Sequence, residues 1–347
     1  MSSVPALRSI HRKTLRAFSS SARETPVTMS SPSSIPSTQS DSGALYPEDY
    51  QGKAGLVVKT RQPAHENMIN SINEAAAVEN VEDGSRTPLL LSSGAWALPH
   101  PEKMARGGED AHFYGKNCVG VADGVGGWAD LGVDPGIYSK EFMRGTANAL
   151  AEIANSCDKP TQVMRQAHFY TNQNARGSTT VCFAYLESDG SNILRIANLG
   201  DSSLYLIRQG KLAFKTSVQQ HDFNFPFQLG SDSNSDTADM TDVFEQKVQK
   251  GDVIVLGTDG LTDNVFDDDI VDTTWEAVVA GSSPTDVAKI LTLKAKLQSM
   301  NQKWESPFSV GATEFGLSFP GGKPDDISIT VSFVVEKEGR RRPAPRM

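Results

Sequence analysis

Short apolar, β-branched runs punctuate the middle of this chain. They fall at Cys118–Ala122, Thr179–Leu186, Ile193–Ala197, Leu204–Ile207, Val253–Gly257 and Ile327–Val335. Gly, Asp or Asn bounds each of them, the pattern that predicts strands and their ends. In Ile327–Val335 (ISITVSFVV) apolar residues alternate with Ser and Thr, a period of two that turns one face inward. Between Gly190 and Phe214 three runs follow one another as a meander, and Gln209-Gly210 suits a tight hairpin turn. Helical spacing appears at Ser139–Ala154, at Thr161–Gln173 and from Ser283 to about Gln302. The last opens with Ser283-Pro284-Thr285-Asp286, capping residues with a proline in the first turn. Consecutive strands without intervening helices predict an α+β layering: stacked antiparallel sheets with helices packed outside.

The flanks read differently. Residues 1–23 carry Arg8, Arg12, Lys13, Arg16 and Arg23 and no acid, with Ala6, Leu7, Ile10, Leu15 and Phe18 interleaved. An Arg-rich, Ser-rich, acid-free amphipathic start is the composition of an organellar presequence. Arg16-Ala17-Phe18-Ser19-Ser20 resembles mitochondrial processing sites, so the expected location is mitochondrial, in the matrix. Residues 24–86 form an expected linker, crowded with Ser, Thr and Pro as far as residue 42, too poor in apolar surface to offset ordering entropy. Within it Asn67 to Ala77 could form a short helix. The expected domain is 87–335, followed by a charged tail over 336–347.

Composition removes several classes of function. Of 347 residues, 33 are Lys or Arg and 42 are Asp or Glu, a net charge of −9 that argues against binding nucleic-acid backbones. Three cysteines, Cys118, Cys157 and Cys182, are too few and too scattered for a disulfide framework or a zinc site. No apolar run approaches the roughly 18 residues of a membrane span.

The candidate chemistry lies in acids at strand ends. Asp123-Gly124 ends one predicted strand and Asp259-Gly260 follows another; Asn198-Leu199-Gly200-Asp201 closes a third, and Asp325-Asp326 precedes Ile327. A buried carboxylate is costly unless something compensates it. Gathered at one edge of a sheet sandwich, these acids make an oxygen-lined pocket suited to hard divalent cations. The six histidines are scattered. Asp130, Asp134 and Asp267-Asp268-Asp269 read as solvated turn or N-cap acids. Gly124-Val125-Gly126-Gly127 lacks the GxGxxG spacing of a dinucleotide loop, and no clear helix opens after it.

Six words occur in order: Gly108-Glu109-Asp110-Ala111; Val121-Ala122-Asp123-Gly124-Val125-Gly126-Gly127-Trp128; Gly177-Ser178-Thr179-Thr180; Asn198-Leu199-Gly200-Asp201-Ser202; Gly257-Thr258-Asp259-Gly260-Leu261-Thr262-Asp263-Asn264; and Lys323-Pro324-Asp325-Asp326-Ile327. The set resembles the metal-dependent, PPM-type (type 2C) serine/threonine phosphatases over about residues 90–335. The DGVGGW form resembles their mitochondrial subfamily. The resemblance implies a central β-sandwich of two antiparallel sheets flanked by α-helices, with a binuclear Mg²⁺ or Mn²⁺ site at one end. It implies that Asp123 bridges both ions, that the Gly124 carbonyl binds one, and that Asp259 and Asp325 complete the other. Glu109 and Asp110 would act at the rim, directly or through water. A third, weaker ion of some members maps to Asp201 and Asp263, with Asp259 shared. The implied reaction is attack of a metal-activated hydroxide on phosphoserine or phosphothreonine of protein substrates. The subfamily adds a link to ubiquinone biosynthesis, and the expected state is a monomer.

The chain departs from the family pattern in three places. Val125 stands where many relatives have a His that protonates the leaving group. Ala105 stands where many have a phosphate-gripping Arg, with Lys103 and Arg106 nearby but out of register. Ser203 replaces a frequent Arg. His221, Trp96 and Trp128 read as packing residues. Two other functions compete: a catalytically silent phosphatase fold that binds phosphoproteins, and a hydrolase of small phosphate esters.

Overall fold

The computed structural model describes residues 88–153 and 160–337. The presequence, the linker with its 67–77 helix, Cys157 and nearly all of the tail lie outside the described residues. Thirteen strands are described. They are β1 (Leu89–Leu98), β2 (Asp110–Tyr114), β3 (Cys118–Gly124), β4 (Ser178–Leu186), β5 (Ile193–Leu199), β6 (Ser203–Arg208) and β7 (Lys211–Lys215), then β8 (Gln220–Asp222), β9 (Phe225–Pro226), β10 (Leu229–Gly230), β11 (Asp242–Lys247), β12 (Val253–Gly257) and β13 (Ile327–Glu336). The helices are α1 (Pro135–Ile153), α2 (Pro160–Asn174), α3 (Asp259–Thr262), α4 (Asp267–Val279), α5 (Pro284–Ser299) and α6 (Pro307–Glu314).

Two antiparallel sheets form the expected sandwich. One has the order β1-β13-β12-β6-β7; the other has β11-β5-β4-β3-β2, with β10 added beside β4. Alternation explains how strands this apolar are accommodated. Val253 and Val255 of β12 face α4 and α5, meeting Ile270, Val287 and Leu291. Ile254 and Leu256, pointing the other way, meet Val119, Val121, Cys182 and Ile196 between the sheets. On the far side Phe113, Ala122, Val181 and Phe183 pack against Tyr138, Phe142 and Met164 of α1 and α2. Both faces of each central strand are therefore dry, and each buried Val, Leu or Ile contributes about 1.5–3 kcal/mol.

The sequence reading needs three corrections here. The Ser and Thr face of β13 is not outward: Ser328, Thr330 and Ser332 are buried, with Ser332 Oγ 2.7 Å from Ser93 Oγ. Asp267 is not simply solvated; it accepts from the Tyr205 hydroxyl (2.7 Å) and from Lys215 Nζ (2.8 Å). A 3₁₀ turn, Gly126–Leu131, does open just after Gly124. Elsewhere local signals held. Gln209 (φ 52°) and Gly210 (φ 74°) are both left-handed, as a type I′ hairpin turn requires. Ser283 and Asp286 form a reciprocal capping box at α5.

Candidate metal centre

The acids converge because strand ends converge. Asp110 of β2 lies opposite Asp123 of β3 in the ladder. Beta-12 and β13 are antiparallel neighbours pairing Gly257 with Ile329, which brings Asp259, just after β12, beside Asp325 and Asp326, just before β13. Thr258 Oγ1 joins the two sheets at this end by donating to Asp110 Oδ2 (2.8 Å). Two glycines permit the approach. A Cβ on Gly260 would stand 1.9 Å from the Asp326 carbonyl oxygen; one on Gly124 would stand 2.7 Å from the Glu109 and Pro135 carbonyl oxygens. Asp259 opens the one-turn α3 and Asp263 caps it, so the i, i+4 pair shares a face.

Two lysines stand among the acids. Lys103 Nζ lies 2.6 Å from Glu109 Oε2, 3.3 Å from Asp325 Oδ1 and 3.2 Å from Asp326 Oδ2. It was expected to be out of register; the 3₁₀ turn Pro101–Arg106 curls it into the centre. Arg106 stays at the rim, 44% exposed, with Nη2 3.4 Å from Glu109 Oε1. Lys323 Nζ bonds Asp259 Oδ2 (2.6 Å) and Asp263 Oδ2 (2.7 Å). Among the described residues, no three His, Cys, Asp or Glu side chains are drawn together tightly enough to hold an ion as they stand. Two ammonium groups instead supply part of the missing positive charge.

That supply is incomplete. Burial raises the pKa of Asp110 and Asp123 well above the carboxylate range, and neighbouring acids add to the effect. Burial, with Asp259 and Asp263 close by, pushes Asp201 up to about 8. Asp263 is pushed up to about 7, again chiefly by burial, against the pull of Lys323. Burial also raises Glu109. Asp325 alone is lowered, because Lys103 and Lys323 outweigh its desolvation. Burial works against both ammonium groups, yet the acids around them raise their pKa overall. The Oδ1 atoms of Asp110, Asp201 and Asp259 are shut off from solvent and have no hydrogen-bond partner among the described residues. Unpaired buried carboxylate oxygens from three separate segments are a donor set that fits hard divalent cations such as Mg²⁺ or Mn²⁺.

Comparison with known proteins agrees with the geometry. A family model for Stage II sporulation protein E matches residues 115–298. Probable protein phosphatase 2C 26 of Arabidopsis thaliana is 40% identical over 264 residues, which cover 72% of this chain and 86% of that protein. The chain belongs to the protein phosphatase 2C family. Probable protein phosphatases 2C 55 and 80 of the same plant are 40% and 41% identical, each over 78% of this chain; the matches span 59% and 65% of their lengths. The X-ray structure of the photosystem II phosphatase PBCP superposes with a TM-score of 0.63 at 36% identity, over 70% of this chain and 98% of that one. The sandwich with its outer helices is thus the fold of PPM phosphatases.

Within this protein phosphatase 2C chain, the roles of three residues near the acids escaped sequence reasoning. Asp326 accepts from the backbone N–H of His100 (2.6 Å) and of Glu109 (2.9 Å), tying both ends of the Lys103 turn to β13. Asn264 donates to the carbonyls of Gly260 (3.0 Å) and Lys323 (2.9 Å) and accepts from Lys323 N (2.8 Å). Lys323 itself was visible only as a letter of a motif. Asn264 neither opens nor ends a strand and is followed by no turn former, so it gives no local signal. The packing expectations hold: Trp128 is buried and donates to Ser178 Oγ (2.7 Å), and the Trp96 ring meets Lys289 Nζ at 4.9 Å. His221 stacks on Phe227 (4.1 Å between centroids) and pairs with Asp236 (2.9 Å).

Proposed function

We propose that this chain hydrolyses phosphoserine and phosphothreonine in protein substrates at a binuclear Mg²⁺ or Mn²⁺ centre. The orphaned Oδ1 atoms of Asp110, Asp201 and Asp259 carry the reading. Asp123 and the Gly124 carbonyl would hold ions from the β3 side, and Asp259 and Asp325 from the β12–β13 side, with Glu109 and Asp110 acting directly or through water. When bound, the ions supply Lewis acidity that lowers the pKa of water and neutralises phosphoryl charge. The protein's own groups do the rest. Asp326 fixes the Lys103 turn, so that Lys103 balances Glu109 and Asp325. Arg106, exposed at the rim, is placed to meet phosphate oxygens in the role that Ala105 cannot fill. A thiol nucleophile is not available among the described residues. Cys118 and Cys182 are buried, and burial pushes the Cys118 thiol up to about 12 and Cys182 also upward.

Assays of the full chain on a phosphopeptide and on p-nitrophenyl phosphate, with Mn²⁺ or EDTA, test this. Mn²⁺-dependent turnover of both is expected. Turnover of small esters alone would favour the ester hydrolase. No turnover by folded protein would favour the silent binder.

The narrower reading is a monomeric phosphatase of the mitochondrial matrix with a link to ubiquinone biosynthesis. It is supported by the DGVGGW word and by the basic, acid-free residues 1–23. Deleting those residues should leave the protein in the cytosol; unchanged import would remove the presequence.

A further inference from the structure

We propose that the Lys323 ammonium is a built-in cation that occupies the place of a third divalent ion, leaving this centre to work with two. The inference rests on the binuclear reading above and deepens it. Of Asp201, Asp259 and Asp263, to which a third ion maps, Lys323 Nζ bonds the last two, at 2.6 and 2.7 Å. Its third hydrogen goes to Asn224 Oδ1 (3.1 Å), so all three donors are used. The ammonium also sits 5.1 Å from the centroid of the Phe308 ring on α6, a cation–π contact. The side chain is 9% exposed.

The placement is fixed by backbone. Asn264, the residue after Asp263, both donates to the Lys323 carbonyl and accepts from its N–H. Pro324 follows with a restricted φ. Lys323 is thereby locked to the α3 turn whose carboxylates it neutralises. It pairs more loosely with Asp325 Oδ2, at 3.6 Å, than with Asp259 and Asp263, and Asp259 Oδ1 is left without a partner. The ammonium therefore lies on the Asp263 side of Asp259. Like charges repel across so short a gap, so a divalent ion on Asp263 would have to displace the lysine.

The test counts ions. Mn²⁺ bound per full-length chain is measured by electron paramagnetic resonance at about pH 8.5, because metal binding releases ligand protons. Wild type, Asp263→Asn, Lys323→Met and the double variant are compared. Lys323→Met should bind one more ion than wild type, the double variant should lose it again, and Asp263→Asn alone should match wild type. No gain in Lys323→Met overturns the proposal, as does loss of an ion in Asp263→Asn. If Lys323→Met fails to fold, the comparison of wild type with Asp263→Asn still decides. Wild type that binds no Mn²⁺ at all would remove the binuclear reading as well, a result distinct from equal, non-zero counts in all four proteins.

Discussion

The two ends of β12 hold buried aspartates that are treated in opposite ways. Asp252, just before the strand, is 1% exposed and fully paired. Arg208 grips both its oxygens, Nε to Oδ1 at 2.8 Å and Nη2 to Oδ2 at 2.7 Å, and Gln249 N donates to Oδ2 at 2.9 Å. Asp259, just after the strand, is 7% exposed; one oxygen meets Lys323 and the other meets nothing. A fork of guanidinium hydrogens satisfies a carboxylate and adds stability. An unsatisfied oxygen costs stability and persists only where something else calls for it. Five residues of dry strand separate a fully paired acid from one with an orphaned oxygen, and hydrogen-bond completeness, not burial, tells them apart.

Activity should divide the two ends most sharply. Asp259→Asn should lower Mn²⁺-dependent hydrolysis of p-nitrophenyl phosphate by more than about 100-fold, above the 10–100-fold typical of groups that only support a metal ligand. Asp252→Asn should stay near wild type in the same assay. Similar losses in both variants would erase the distinction. Gly260→Ala comes next. Its Cβ would overlap the Asp326 carbonyl, and relief must move Asp259 or Asp325. Activity should fall at least tenfold, with an overpacking cost of about 1–3 kcal/mol in urea melts. Wild-type melting and turnover would show that the two strand ends do not need this approach.

Stability reverses the order. Asp252→Asn leaves the part-exposed Arg208 without its carboxylate and should cost about 1–2 kcal/mol. Asp259→Asn, measured without metal, removes a charge from a crowded group of acids and should cost less or even stabilise. Chemical denaturation of both variants in EDTA checks the contrast; a larger loss in Asp259→Asn would overturn it.

Sequence made the same comparison only in part. Strands β3, β4, β5, β6, β12 and β13 and the two long helices on the β2–β4 side were legible, since period and punctuation are local. Asp123, Asp201, Asp259 and Asp325 were legible as acids beside turn formers. Beta-1 was not, because Ser92, Ser93 and Gly94 interrupt its apolar pattern, and its pairing with β13 is a contact across most of the domain. Helix α4 was not drawn, although Asp267-Asp268-Asp269 read as turn or N-cap acids and do stand in its first turn. The roles of Lys103, Lys323, Asp326 and Asn264 depend on which loops meet at the end of the sandwich. No spacing along the chain encodes that meeting.

The smallest expected effect is the pH dependence of the metal-free fold. Asp201 and Asp263 titrate near 8 and 7 in the folded chain and in the ordinary carboxylate range when unfolded. Between those limits the native state binds more protons than the unfolded state, so stability falls as pH rises from about 4 to about 8. Asp110, Asp123 and Glu109 are raised too and act in the same sense, while the lowered Asp325 matters only below that window. In EDTA, Tm should therefore drop between about pH 5.5 and pH 8, and the drop should persist in Asp252→Asn. At the proposed centre Mn²⁺ would bind the ionised acids, so adding it should raise Tm more at about pH 8 than at about pH 5.5. A metal-free Tm that is flat or rises across this range would mean that the acids at the Asp259 end are satisfied in solution as fully as Asp252 is.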